Sequence, residues 1–263
     1  MVNPSHLHGE VTAIIEKFNQ LTYHPYIKDY IPSVGIDEGK CQLFYAALSK
    51  NTTKEEASVV TLCALLVQAA LDVHEEVSLH PIDSDTARKN RQLHVLIGDY
   101  YSSLYYNLLA EADRVPLTRL FSCTLQEINE QKMDVYEAVE GSYAQIADHL
   151  EFIESGLYGK ILEEYELPEM KAIFESLFFY NRYMDEWNKW SKGESSLLMK
   201  SLTTFETADA STHLDILSSK QGDLMTQIHM LMDEHSDFRQ HMEKYLSESV
   251  QTAPNGLDES KVR

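Results

Sequence analysis

A chain of 263 residues is long enough to bury a sizeable core, as one large helical domain or two small ones, and 43% apolar with 24% charged residues is the balance of a soluble globular protein. With 22 Lys and Arg against 42 Asp and Glu the formal charge is −20, which argues against nucleic acid and anionic lipid as partners while leaving room for a local basic pocket and attracting divalent cations. Ten Gly and seven Pro are few for this length and favour long helices over a sheet with many hairpins.

In chain order, the first helix is expected from about Glu10 to Leu21, stopping before Pro25, and the second from about Asp37 to Ser49. The third opens on the capping-box pair Thr53 and Glu56 and runs to about Val77, apolar on almost every face and therefore surrounded by other helices. A short linker with Pro81 precedes a fourth helix from Ala87 to Ala112. A fifth starts near Pro116 and reaches Glu140. Shorter helices follow at 142–154 and 159–165, then a long one from Pro168 to Lys192 with Gly193 as its stop. A last amphipathic stretch covers 221–249, and the polar tail 251–263 is expected to be disordered. No repeat or domain linker interrupts this pattern, so residues 1–250 read as one all-α bundle. No secretory leader is expected at the start. The most apolar stretch, Ala57 to Val73, is broken by Ser58, Thr61, Gln68 and Asp72 and reads as a core helix rather than a transmembrane segment. Cys41, Cys63 and Cys123 read as buried reduced thiols, which together suits a cytoplasmic protein.

Three features could carry chemistry. Asp72, Glu75 and Glu76 are spaced to share one face at a helix C-terminus, where the macrodipole disfavours negative charge. They form either a solvated acidic helix end or a site for a hard cation such as Mg²⁺. Arg88-Lys89-Asn90-Arg91 is the one dense basic cluster. It is either a counter-charge to those carboxylates or a diphosphate grip, since Arg offers bidentate hydrogen bonds to phosphate. Gly98, mid-helix within Val95-Leu96-Ile97-Gly98-Asp99-Tyr100-Tyr101, costs about 1 kcal/mol against alanine and so wants a packing reason. Tyr100, Tyr101, Tyr105 and Tyr106 follow at helical spacing and read as core.

An apolar helix ending in His74-Glu75-Glu76-Val77, then a basic cluster, then Val95-Leu96-Ile97-Gly98-Asp99-Tyr100, resembles the order of motifs in trans-isoprenyl diphosphate synthases. That family has an aspartate-rich DDxxD motif, paired arginines and a Gly-Asp-Tyr/Phe helix. More closely, Leu71 to Val77, Lys89 to Leu93 and Gln126-Glu127-Ile128-Asn129-Glu130 are similar to component I of bacterial heptaprenyl diphosphate synthases. The resemblance, which reaches to about Lys192, implies an all-α bundle of the isoprenoid-synthase type.

This chain departs from the pattern in three places. Its first acidic motif, Glu75-Glu76-Val77-Ser78-Leu79, lacks the last carboxylate. The second falls at Asp185-Glu186-Trp187-Asn188-Lys189 and ends in lysine. The family's Lys-Thr pair is replaced by Ser142-Tyr143. The resemblance therefore implies a subunit without catalytic residues of its own. Its partner would be a prenyl diphosphate synthase subunit with intact DDxxD motifs, and the pair would extend farnesyl diphosphate with isopentenyl diphosphate for the menaquinone side chain. Mg²⁺ is expected to be held mainly by that partner. Asp72, Glu75 and Glu76 remain as a degenerate metal motif, Arg88 and Arg91 as contacts to diphosphate or partner, and Val67, Ala70 and Leu71 as neighbours of a product channel. Two alternatives stay open: a self-sufficient Mg²⁺-dependent prenyl transferase with Glu-substituted motifs, and a helical interaction protein without activity.

Overall fold

The computed structural model describes residues 4–28, 35–77, 81–82, 84–137, 141–203 and 210–249, and among them all regular structure is α-helical. The chain divides into two compact units, residues 1–120 and 121–263. The expected disordered tail lies outside the described residues.

The first unit contains α1 (Pro4–Thr22), α2 (Pro25–Lys28), α3 (Glu38–Leu48), α4 (Lys54–Glu75) and α5 (Asp85–Glu111), while α6 (Val115–Glu137) crosses from the first unit's residues into the second's. Asp37, Thr53 and Ser84 cap the starts of α3, α4 and α5: their side chains accept from the backbone N–H of Lys40, Glu56 and Ala87 at 2.8, 3.2 and 3.1 Å. Each such cap contributes on the order of 1 kcal/mol by satisfying a donor the helix cannot. Pro25, expected only as a barrier to the first helix, itself opens α2, where its missing N–H has no intrahelical partner to lose.

From Val60 to Val73, α4 is buried at every position except Gln68 and Asp72, because α1, α3 and α5 pack around it. Among the described residues it is also the one helix long and apolar enough to cross a membrane, and its apolar side chains are covered by those neighbours. α5 lies antiparallel along it: Glu56 meets Arg114, Cys63 approaches the carbonyl of Tyr105, and His74 packs on Gly98. Burial pushes the thiols of Cys41 and Cys63 up to about 12, so both stay protonated and inert. Cys123 departs from expectation and is exposed. On α6 the buried stripe is Leu117, Phe121, Thr124 and Ile128, and position 123 falls outside it.

The second unit contains α7 (Tyr143–Glu164), α8 (Pro168–Ser191), α9 (Leu197–Thr203), α10 (Ala210–Glu234) and α11 (Arg239–Ser249). Two helices were expected where α7 is continuous. Ser155, at the expected break, donates to the Glu151 carbonyl and stays within the helix, while Gly156 and Gly159 make room for Phe152 and the Lys171 stem. Small residues here are close-contact points rather than breakers. α8 starts with Pro168 at its first turn and ends before Gly193, whose φ of 85° suits only a residue without Cβ. The last stretch is two helices rather than one, and α10 starts well before the expected Gln221.

α8 is the hub of this unit. Phe178 stacks edge-on against Tyr158 of α7 and Phe174 of its own helix, at 5.1 and 5.4 Å, and lies 5.5 Å from Tyr245 of α11. Ring pairs in such geometry add roughly 0.5–1.5 kcal/mol each beyond their buried area. Polar tips are also paired across helices: Tyr183 donates to the Leu217 carbonyl at 2.9 Å, and Tyr180 accepts from Gln221 at 3.0 Å, fixing α10 antiparallel to α8.

Candidate functional site

The last turn of α4 presents Asp72, Glu75 and Glu76 to solvent on one face, as their spacing requires. Asp72 accepts from the Gln68 amide at 2.7 Å, one turn back. His74 turns the other way, toward α5, with its Nε2 3.6 Å from Asp99 Oδ1. A Cβ at position 98 would collide with the His74 ring, which is the packing reason the mid-helix glycine demanded. Among the described residues no three His, Cys, Asp or Glu side chains come together as a metal-holding group.

The basic cluster sits on the first turns of α5. Arg88 Nη1 is 2.6 Å from Asp85 Oδ1, three residues earlier. Both ends are exposed, so the pair adds little to stability and holds Arg88 only loosely. Arg91 is half-buried. Between them Lys89 places its ammonium 5.1 Å from the centre of the Tyr26 ring. Behind the acidic turn, Val67, Ala70 and Leu71 are all buried in the first unit. The four tyrosines split: Tyr101 and Tyr105 are core, whereas Tyr100 and Tyr106 are exposed, because successive helical positions cannot share one face.

In the second unit, the segment corresponding to the second acidic motif is built into the packing of α7 on α8. Glu186 is buried, 2.9 Å from Arg182 Nη2, and Arg182 Nη1 reaches Glu154 of α7 at 3.1 Å. Trp187 is buried against Tyr183. Only Asp185 and Lys189 of this segment are exposed, four residues apart on one face, with opposite charges. Ser142 is the N-cap of α7 and forms a full capping box with Gln145. Tyr143 follows it, half-buried, with the Lys220 ammonium 5.0 Å from its ring centre.

The ion network Glu154–Arg182–Glu186 was not foreseen. The Arg182–Glu186 spacing is readable as an i,i+4 pair, but Glu154 lies 28 positions before Arg182 and joins it only through the helix pairing. The same holds for Lys171 of α8, which lies 2.7 Å from Glu163 and 3.8 Å from Glu175. Close by, burial and the neighbouring carboxylates, Glu175 foremost, raise the Glu151 carboxyl above the ordinary range, Lys171 opposing. Glu175 is raised too, mainly by burial, again against Lys171.

The family model for heptaprenyl diphosphate synthase subunit 1 matches residues 24–246. Heptaprenyl diphosphate synthase component 1 of Geobacillus stearothermophilus is 31% identical over 166 residues, covering 62% of this chain and 72% of that protein. Among solved structures, an apo FPP/GFPP synthase from Zymomonas mobilis superposes with a TM-score of 0.63 at 12% identity, covering 94% of this chain and 97% of the other. A polyprenyl synthase from Caulobacter crescentus, complexed with calcium and isoprenyl diphosphate, gives 0.59 at 11% identity over 93% and 90%. At these identities the structural likeness establishes the fold, an all-α prenyl diphosphate synthase bundle, while the sequence match over most of the chain is family-specific. By that match the chain belongs to the heptaprenyl diphosphate synthase subunit 1 family.

Proposed function

We propose that this chain is the non-catalytic partner subunit of a two-component heptaprenyl diphosphate synthase. The second subunit carries intact DDxxD motifs, and the pair extends farnesyl diphosphate with isopentenyl diphosphate in the cytoplasm, supplying the menaquinone side chain. The observation that carries this reading is the state of the second acidic motif. Glu186, which would have to face a metal, is instead buried in an ion network with Arg182 and Glu154, and the motif ends in exposed Lys189. A carboxylate so engaged is a packing element, and withdrawing it to bind a metal would leave Arg182 without that partner.

Carboxylate oxygens are the right donor class for Mg²⁺, but the described residues do not assemble a three-ligand group around one position. The metal is assigned mainly to the partner, where it would stabilise the departing diphosphate as the allylic cation forms. Asp72, Glu75 and Glu76 are retained as the degenerate first motif. Arg88 and Arg91 are assigned to diphosphate or to partner carboxylates. Val67, Ala70 and Leu71, small or aliphatic, are assigned to the wall of the product channel or to the support of the partner helix that forms it. The test is an assay of the pure chain with farnesyl diphosphate, isopentenyl diphosphate and Mg²⁺. No elongation is expected, and robust turnover by the single chain would overturn the proposal in favour of a self-sufficient enzyme.

A further inference from the structure

The end of α1 and the short α2 form an exposed aromatic corner of the first unit. Tyr23 is 61% exposed and Tyr26 47%, and His24, Pro25 and Lys28 beside them are exposed as well. The buried stripe of α1, made of Leu7, Val11, Ile14 and Phe18, ends before these rings, and neither ring lies on it. The backbone that carries them is nonetheless fixed. The Tyr100 hydroxyl donates to the Leu21 carbonyl at 2.9 Å, the Tyr23 N–H donates to the Asn19 carbonyl at 3.1 Å, and the Lys89 ammonium lies 5.1 Å from the centre of the Tyr26 ring. Rings presented to water on a fixed backbone meet a partner at little cost in ordering.

The charge around these rings departs from that of the whole chain. Asp and Glu supply 42 of the 263 residues, yet the run from Lys17 to Lys28 contains none of them. Lys17 and Lys28 are exposed, and Lys89 joins them from α5. Asp29 ends the run, and on α5 Asp85 is paired with Arg88 at 2.6 Å, so the corner carries a small local excess of positive charge. Charges farther away than about 8–10 Å are largely screened at physiological ionic strength, so this local excess, not the net −20, decides what the corner attracts.

We propose that the Tyr23–Tyr26 corner is a peripheral lipid-contact site, which seats the first unit on a bilayer surface containing anionic headgroups. Tyrosine rings with a polar tip sit at the level of the headgroups, and lysines beside them meet lipid phosphates. Two rings fall short of the ~800 Å² per partner of a stable protein–protein interface, whereas weak, reversible membrane attachment needs only a small apolar contact joined to a basic one. The proposal rests on the partner-subunit reading above. The product of that reaction joins a long polyisoprene chain to a diphosphate head, an amphiphile whose apolar part is driven out of water and into a nearby bilayer.

The test is flotation of the lone chain with phosphatidylcholine vesicles, with and without phosphatidylglycerol. The wild type is expected to float with the anionic vesicles and to detach as salt is raised. Tyr23→Ser combined with Lys28→Glu should lower the bound fraction about fivefold or more and leave the melting curve unchanged, because both side chains are exposed. Tyr23→Trp gives a second readout, since Trp187 and Trp190 are buried in the second unit. Its emission should shift to the blue when anionic vesicles are added. Four results would each overturn the inference: no flotation of the wild type, equal flotation on pure phosphatidylcholine, a double variant that binds as the wild type does, or an unshifted emission from the bound Tyr23→Trp chain. Loss of association with the second component in the double variant, with flotation intact, would also overturn it and assign the corner to a protein. Because the lone chain is floated, failure here leaves the partner-subunit reading standing. Failure of the mixed subunits to elongate is a separate result that overturns that reading.

Discussion

Gly98 faces the ring of His74 across the α4–α5 contact, and two effects compete there. Alanine at 98 regains about 1 kcal/mol of helix propensity but must push the ring aside and disturb its contact with Asp99. The His74 side chain is partly exposed and can swing, so Gly98→Ala should be neutral or mildly destabilising. In a His74→Ala background, where the obstacle is gone, the same change should stabilise by up to about 1 kcal/mol. Urea unfolding of the four chains in this double-mutant cycle reads the coupling directly, and a coupling within error of zero would refute the packing role. Arg88 and Arg91 make a second test at this scale. Alanine at both should lower kcat/KM of the reconstituted pair about tenfold or more, consistent with loss of a charge-assisted contact of ~1.5–3 kcal/mol. If activity and assembly are both unchanged, the cluster is only a solvated helix start. Charge clustering singled out Arg88 and Arg91, and helical spacing grouped Asp72, Glu75 and Glu76, before the resemblance gave either a role. Spacing could not show that the His74 between them turns toward α5.

At the scale of elements, α7 and α8 are held by rings, the close approach at Gly159 and a set of carboxylates that is not fully balanced. Glu151 is disfavoured as an anion by burial first, then by Glu175 and Asp148, with Lys171 opposing. Its folded-state pKa is raised above the unfolded value, so the folded chain binds the proton more tightly. Stability therefore falls as pH rises from the ordinary carboxylate range through the raised value, and the penalty is fully present once the pH is above that value. Glu151→Gln should flatten the decline within that window and raise the Tm above it, whereas an unchanged pH profile would contradict it. The capped start of α4 and the proline start of α8 were legible, because each signal is local. The continuity of α7 was not, since Ser155, Gly156 and Gly159 look like breakers until Ser155 bonds back to the Glu151 carbonyl, Phe152 fills the space beside Gly156 and Lys171 of α8 packs on Gly159. Nor was the partition of the tyrosines on α5, which depends on which side α4 occupies.

For the molecule as a whole, the all-α fold was legible from scarce turn-formers, a third helix apolar on almost every face and the ordered motifs. The fate of the second acidic motif was only half legible. Its sequence shows a lysine where the last carboxylate belongs, but the engagement of Glu186 needs Glu154 and Arg182, brought together by tertiary structure. That engagement is the physical ground for the proposal that the chain is half of an enzyme. The most direct test is a titration of this chain into a fixed amount of the second component, with farnesyl diphosphate, isopentenyl diphosphate and Mg²⁺ present and long-chain product measured. Elongation should be absent in either chain alone, rise with added subunit and saturate at a fixed molar ratio. Product made by either chain alone at the rate of the mixture, or none from the mixture, would contradict the account.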